Sequence, residues 1–150
     1  MNPRALILAV AILFAQERPN FVGHWELIRA GDVPAGTIVA IDINEGGEKP
    51  RVLSVARYLE TGSAELRDYL VGIQQGRVGG VSVGGGIPKE ISFQSVTWEK
   101  SALLIDQEGE PGPERHERWS INDAGELVIE SSDRPAKWAT ESVVLRYRRR

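Results

Sequence analysis

In the stretch TIVAIDIN, residues 37–44, an apolar run passes into strict alternation of apolar and polar side chains from Ile41 to Asn44. Val39, Ile41 and Ile43 share one parity, and Asp42 and Asn44 share the other. Successive side chains of an extended strand point to opposite faces, whereas the apolar positions of a helix recur every three or four residues. The stretch therefore predicts a strand with one buried face. The pattern repeats in HWELIR (24–29), RVLSVARYLE (51–60), EISFQSVTWE (90–99), ALLID (102–106), ERHERWSI (114–121), ELVIES (126–131) and TESVVLRYR (140–148). ELRDYLV (65–71) reads as a strand or a helical turn. A short strand around Val81–Val83 is expected within the glycine-rich stretch 72–86. Between Phe93 and Val96 the apolar phase changes, which predicts a bulge or a sharp bend. EGGEKP (45–50), TGSA (61–64) and NDAG (122–125) supply turns. Eight to ten antiparallel strands, each with one apolar face, must close or stack to bury that face and protect their edges. The expected fold is all-β, an up-and-down barrel; a two-sheet sandwich is the alternative.

Ahead of the strands, Arg4 precedes an uncharged, mostly apolar run from Ala5 to Ala15, which is too short to cross a bilayer, where about 20 residues are needed. A positive residue, a short apolar segment and then the polar QERPN are the parts of a signal peptide in their usual order. Residues 1–15 (to about 19) are read as that leader and 20–150 as one domain, which places the mature protein in the periplasm or outside the cell, with no membrane span. The chain has no cysteine, so neither a disulfide nor a thiolate ligand or nucleophile is available. Its formal net charge of -3 and the lack of a basic block, apart from Arg148–Arg150, argue against a nucleic-acid partner.

Catalytic and metal motifs are missing from the sequence. The two histidines, His24 and His116, lie far apart and outside any HExxH or His-x-His pattern, so both are read as surface residues and no metal is assigned. VSVGG (81–85) lacks the first glycine of a nucleophile elbow, and GRVGGVSVGGG lacks the Lys-Ser/Thr of a phosphate loop. What stands out is charge on apolar faces. Arg57 shares parity with Val55 and Leu59, and Arg115 and Glu117 share parity with Trp119. An unpaired charge inside a protein is costly, so these groups should pair, reach solvent at a barrel mouth, or face a polar cavity. Arg57, Arg115, Glu117 and Trp119 are accordingly the candidate ligand-binding residues. An acidic or amphipathic ligand would complement the arginines; an ion pair closing the rim is the alternative. The four tryptophans are core residues by default, with Trp138, in the polar DRPAKWAT, the one expected at a rim.

Gly23-His24-Trp25 at the head of the first strand resembles the Gly-x-Trp signature of lipocalins. SVTWEKSALLIDQEG, ERWSINDAGELVIESS and ESVVLRYRRR resemble small exported bacterial lipocalin-like domains. The lipocalin disulfide is absent, and Asp68-Tyr69 lies too early to be the Asp-Tyr signature of that family. The resemblance implies that Trp25 plugs the closed end of the barrel, that Gly23 allows close backbone approach there, and that a late arginine stacks on the indole. Arg146 or Arg148 on the last strand is the matching candidate, Arg146 being the one assigned. It also implies non-covalent binding of a small apolar or amphipathic molecule, with no cofactor; an enzyme stays open as a third class, since some lipocalin-like barrels isomerise or hydrolyse, although no catalytic constellation is recognised in this sequence. A structural or interaction module with a filled interior is the rival reading. An interior cavity of roughly 300 Å³ or more would favour binding.

Overall fold

The computed structural model describes residues 18–29, 31–72, 74–79, 90–108, 114–134 and 141–150. The expected leader at 1–15, the strand at Val81–Val83 and the rim position Trp138 lie outside these residues. Ten strands make up the described fold, and no described residue is helical. They are β1 (Gly23–Leu27), β2 (Ile38–Gly46), β3 (Val52–Leu59), β4 (Ala64–Leu70), β5 (Gln74–Gly79), β6 (Glu90–Glu99), β7 (Ala102–Glu108), β8 (Arg115–Ile121), β9 (Leu127–Ser132) and β10 (Val143–Arg149).

All are antiparallel to their ladder neighbours and follow the order β4-β3-β2-β1-β10-β9-β8-β7-β6-β5. The chain thus meanders, and its first strand pairs with its last. The remaining seam, between β4 and β6, is bridged in two places. The Gly72 N–H donates to the Val96 carbonyl (2.6 Å), and Gln94 Nε2 donates to the Asp68 carbonyl (3.1 Å). The result is a nearly closed up-and-down barrel, which leaves little free strand edge for unwanted pairing.

Alternation carries the inside–outside assignment along each strand. Ile41 and Ile43 of β2, Leu53 and Val55 of β3, Leu103 and Ile105 of β7, and Leu127 and Ile129 of β9 are all buried in one core. Between them, outward residues meet water. The segment 65–71, open between strand and helical turn, is strand: Glu65, Arg67 and Tyr69 fall opposite Arg57, Val55 and Leu53 of β3. Pairing with β3 supplies backbone partners that an isolated helical turn would lack. Of the bulge or sharp bend expected in β6, the bulge is not found, since the ladders to β5 and β7 run without a shift. The irregularity lies instead in β2, between Ile38 and Ala40 opposite the end of β3. The turn at 122–125 forms as read. Asn122 Oδ1 accepts from the backbone N–H of Ala124 (3.1 Å) and Glu126 (2.9 Å), an Asx turn followed by Gly125 at positive φ.

One end of the barrel is sealed. Trp25 is fully buried, and its Nε1–H donates to the Phe21 carbonyl at 2.8 Å. Phe21 stacks on Trp98, with centroids 5.9 Å apart, and meets Trp119 edge-on. The segment before β1 is therefore drawn across the barrel floor. A late arginine does cover the Trp25 ring, but it is Arg149, with its guanidinium carbon 4.5 Å from the ring centroid. Arg146 is not in that place, nor is Arg148. Leu145 and Tyr147 take the inward parity of β10, so Arg146 and Arg148 face outward, and Arg146 is exposed beside Glu126. Arg149 lies directly across from Trp25 in the β1–β10 register. It also donates from Nη2 to the Asn20 carbonyl (2.7 Å).

Gly23 has two reasons to be glycine. The first is its φ of +145°, a backbone region disfavoured for side-chain-bearing residues; the second is slighter, since a Cβ there would stand 3.4 Å from Arg149 Nε, an ordinary contact that the flexible arginine can relieve. Gly23→Ala is expected to lower unfolding free energy by about 1–3 kcal/mol, read as a lower urea midpoint with an unchanged m-value. An unchanged midpoint would show that the backbone there is free to relax.

Candidate functional site

The opposite end of the barrel is open. It is ringed by the starts of β2, β8 and β10 and the ends of β3 and β9. A half-open cleft of about 340 Å³ enters there. Its apolar wall includes Val33, Pro34, Ile38, Val143, Leu145 and Tyr147, and its polar side carries Arg57, Arg115 and Glu117. Three of the four residues singled out by parity thus meet at one cleft. They arrive from β3 and β8, which lie on different arcs of the barrel.

Pairing explains how these charges are tolerated inside. Glu117 Oε1 accepts from Arg115 Nη1 at 2.8 Å. Its Oε2 accepts from Trp119 Nε1 at 2.7 Å and from Arg57 Nη2 at 3.2 Å. Arg57 Nη1 donates to the Tyr69 hydroxyl (2.9 Å), which in turn donates to Gln107 Oε1 (3.4 Å). Arg115 Nη2 reaches Glu65 Oε2 at 2.8 Å. The Arg57 guanidinium also lies over the rings of Tyr69 and Trp119, 5.5 and 5.6 Å from their centroids. Burial alone would raise the Glu117 pKa. The two guanidinium charges and the hydrogen bonds from Arg115 and Trp119 outweigh it, so Glu117 is held below the ordinary carboxylate range. It stays ionised at neutral pH.

Trp119 is fully buried and does not line the cleft. Its part is to hold Glu117 from below. Tyr69, Gln107 and Glu65 belong to the network without having been singled out from the sequence. Their signal was the same parity rule: Tyr69 is two residues from Arg67 on a strand whose helical alternative hid it, and Gln107 continues the inward phase of Leu103 and Ile105. Tyr147, on the apolar wall, donates its hydroxyl to the Ile38 carbonyl (3.0 Å). Burial raises its pKa well above the ordinary phenol value, so it remains a neutral donor.

Three groups in this network are left incomplete, one of them the acceptor Glu65 Oε1. The Nε–H of Arg57 and that of Arg115 are buried and have no hydrogen-bond partner among the described residues. A buried donor without an acceptor costs about 1–3 kcal/mol. Both residues border the cleft, but these Nε atoms are closed to solvent, so a ligand would meet the guanidiniums first as charges and would reach the Nε–H groups only after a side-chain shift.

The histidines divide. His24 sits on the outer face, partly exposed and bonded to Asp42. His116 corrects the reading as a surface residue. It does point outward from β8, between Arg115 and Glu117, yet its side chain is only 1% exposed. Asp106 holds its Nδ1 and Glu114 its Nε2, at 2.7 and 3.0 Å. Strand parity fixes direction, but burial of an outer face depends on what else lies there.

A near-closed antiparallel barrel, sealed at one end and holding a half-open apolar cleft with buried cations at the other, is the class of protein these features define. Among solved structures the chain is similar to the wild-type fluorescent protein UnaG. The TM-score is 0.51 at 16% sequence identity, covering 87% of this chain and 97% of that one. At that identity the likeness is one of fold. No protein-family model matches the chain, and no curated protein matches it in sequence.

Proposed function

We propose that this protein is an exported, lipocalin-like carrier of a small amphipathic molecule. The ligand lies in the open-end cleft, its apolar body along Ile38, Val143 and Leu145, and its acceptor headgroup against Arg57 and Arg115. The observation that carries this reading is a half-open, largely apolar cleft of about 340 Å³ with the Arg57 and Arg115 guanidiniums on its polar side. That volume exceeds the roughly 300 Å³ at which small-molecule sites begin. The leader-like residues 1–15 support export to the periplasm or beyond. Among the described residues no helix is long and apolar enough to cross a membrane.

Titration with a fluorescent long-chain fatty acid tests the site. Saturable binding of one probe per chain is expected. Arg115→Met should weaken the carboxylate probe by about tenfold, equivalent to roughly 1.4 kcal/mol, and the matching fatty alcohol much less. Arg115 is the better target because it lies nearer the mouth than Arg57, its side chain being 12% exposed against 0%. A rival reading, a non-enzymatic structural or interaction module, draws support from the filled lower half of the barrel and from the pairing of both arginines with Glu117. Failure to take up any apolar or amphipathic probe would select that rival.

A further inference from the structure

We propose that Glu108, Glu114 and His116 form a site for a divalent first-row metal ion of the zinc class, on the outer face of the barrel where β7 ends and β8 begins. The cluster lies outside the ligand cleft and is not used in the carrier reading.

The histidine sets it apart from an ordinary patch of surface carboxylates. Its ring is withdrawn from water, and both nitrogens are committed. Asp106, its ladder partner on β7, faces Nδ1 at 2.7 Å. With a carboxylate at each nitrogen the ion-free ring donates from both; a metal ion would displace the Nε2 proton to solvent and take that lone pair, while Asp106 keeps accepting the Nδ1–H hydrogen bond and fixes the ring orientation. Metal-bound histidines are commonly held by an outer carboxylate in this way. At Nε2 the nearest atoms are Glu114 Oε1 (3.0 Å) and Glu108 Oε1 (3.8 Å). One ligand atom from each of the three residues lies within 4.8 Å of the others. Ligands about 2.0–2.2 Å from an ion stand roughly 3–3.6 Å from one another, so the ion fits with small carboxylate movements. Glu108 and Glu114 are half exposed or more and have room to make them.

Charge points the same way. Three carboxylates, those of Asp106, Glu108 and Glu114, surround one imidazole. Their ion-pair partner among the described residues is His116, with no arginine or lysine bound to them. Even with His116 protonated the group is two charges negative, and a dication compensates it. One imidazole nitrogen with carboxylate oxygens suits zinc, nickel, cobalt or manganese, and favours them over magnesium and calcium, which prefer oxygen alone. Glu108 closes β7 and Glu114 leads into β8, so the ion would tie two strand ends together at the same barrel end as the cleft.

The test uses the full chain, stripped with chelator and dialysed, then titrated with Zn²⁺ alone by calorimetry at neutral pH. One ion per chain is expected, with a dissociation constant in the micromolar range or below. At a hundredfold excess over that constant, Tm should rise by roughly 5 °C or more. Mg²⁺ at the same concentration should leave Tm in place. Glu114→Gln, at an exposed position where folding is not at risk, and His116→Asn should each weaken Zn²⁺ by at least tenfold. Zinc binding weaker than about 100 µM would overturn the site, and so would tight binding that both variants leave intact, since the ion would then sit elsewhere. Fatty-acid titration of Glu114→Gln keeps the two proposals apart, because probe affinity there should match the wild type.

Discussion

Replacing Glu117 by alanine is expected to lower the unfolding free energy by about 3–5 kcal/mol, the usual cost of removing one partner from a buried ion pair. Most of that is not the lost attraction. Arg57 is fully buried and would keep its charge with the Tyr69 hydroxyl and two aromatic faces as its remaining company. Trp119 would lose the acceptor for its Nε1–H, and Arg115 would fall back on Glu65. The urea midpoint reads the loss directly. A double variant that turns Arg57 and Glu117 both to leucine should recover at least half of it, because no charge is then stranded. A single variant costing under about 1 kcal/mol would mean that water reaches Arg57, and that the floor of the cleft is far wetter than its burial indicates. The pH dependence has a definite sign. The folded pKa of Glu117 is lowered from the unfolded value of 4.5. Its contribution is therefore complete above about pH 4.5 and is lost as pH falls through the folded pKa. Glu117→Gln should flatten the acid limb of the stability curve, with the difference from wild type shrinking as pH drops.

The inward charges behind that experiment were legible from strand parity alone. Arg57 had to travel with Val55, and Glu117 with Trp119, once the segments were strands. The barrel was legible for the same reason, because one-sided strands joined by short turns must curl. Parity also held the answer at the sealed end. In VVLRYRRR the inward phase runs Leu145, Tyr147, Arg149, whereas Arg146 and Arg148 follow only from the family resemblance. Other features leave no periodic trace. Part of the cleft wall is Val33 and Pro34, in a loop whose path is set by what it packs on rather than by alternation. His116 shows the limit most plainly: a strand pattern gives the face a side chain is on, while its exposure depends on non-local neighbours such as Asp106 and Glu114. The Glu108–Glu114–His116 cluster follows no familiar ligand spacing, because a strand turnaround, and not a helix turn, brings it together.

Truncating Trp25 is the other change of large expected effect. Trp25→Ala should cost about 3–5 kcal/mol, the range for removing a large aromatic side chain from a core. Three contacts go at once: the ring fill at the closed end, the hydrogen bond that pins Phe21, and the surface on which Arg149 lies. Trp25→Phe separates them. It keeps part of the apolar fill and gives up the Nε1–H, so a loss of about 1–2 kcal/mol is expected, on the scale of one buried hydrogen bond with some residual cavity. Arg149→Ala should cost less again, about 0.5–1 kcal/mol, because the arginine is exposed and a cation over an indole is weak in water. That ordering, alanine above phenylalanine above the arginine variant, is what a plug held mainly by packing demands. If Arg149→Ala proved as harmful as Trp25→Ala, the seal would instead depend on the guanidinium and its bond to the Asn20 carbonyl. Probe affinity provides the spatial check. The plug and the cleft occupy opposite ends of the barrel, so Trp25→Phe should bind the fatty-acid probe as wild type does. A large change in affinity there would mean that the two ends are mechanically coupled through Trp119, which touches Phe21 at one end and Glu117 at the other.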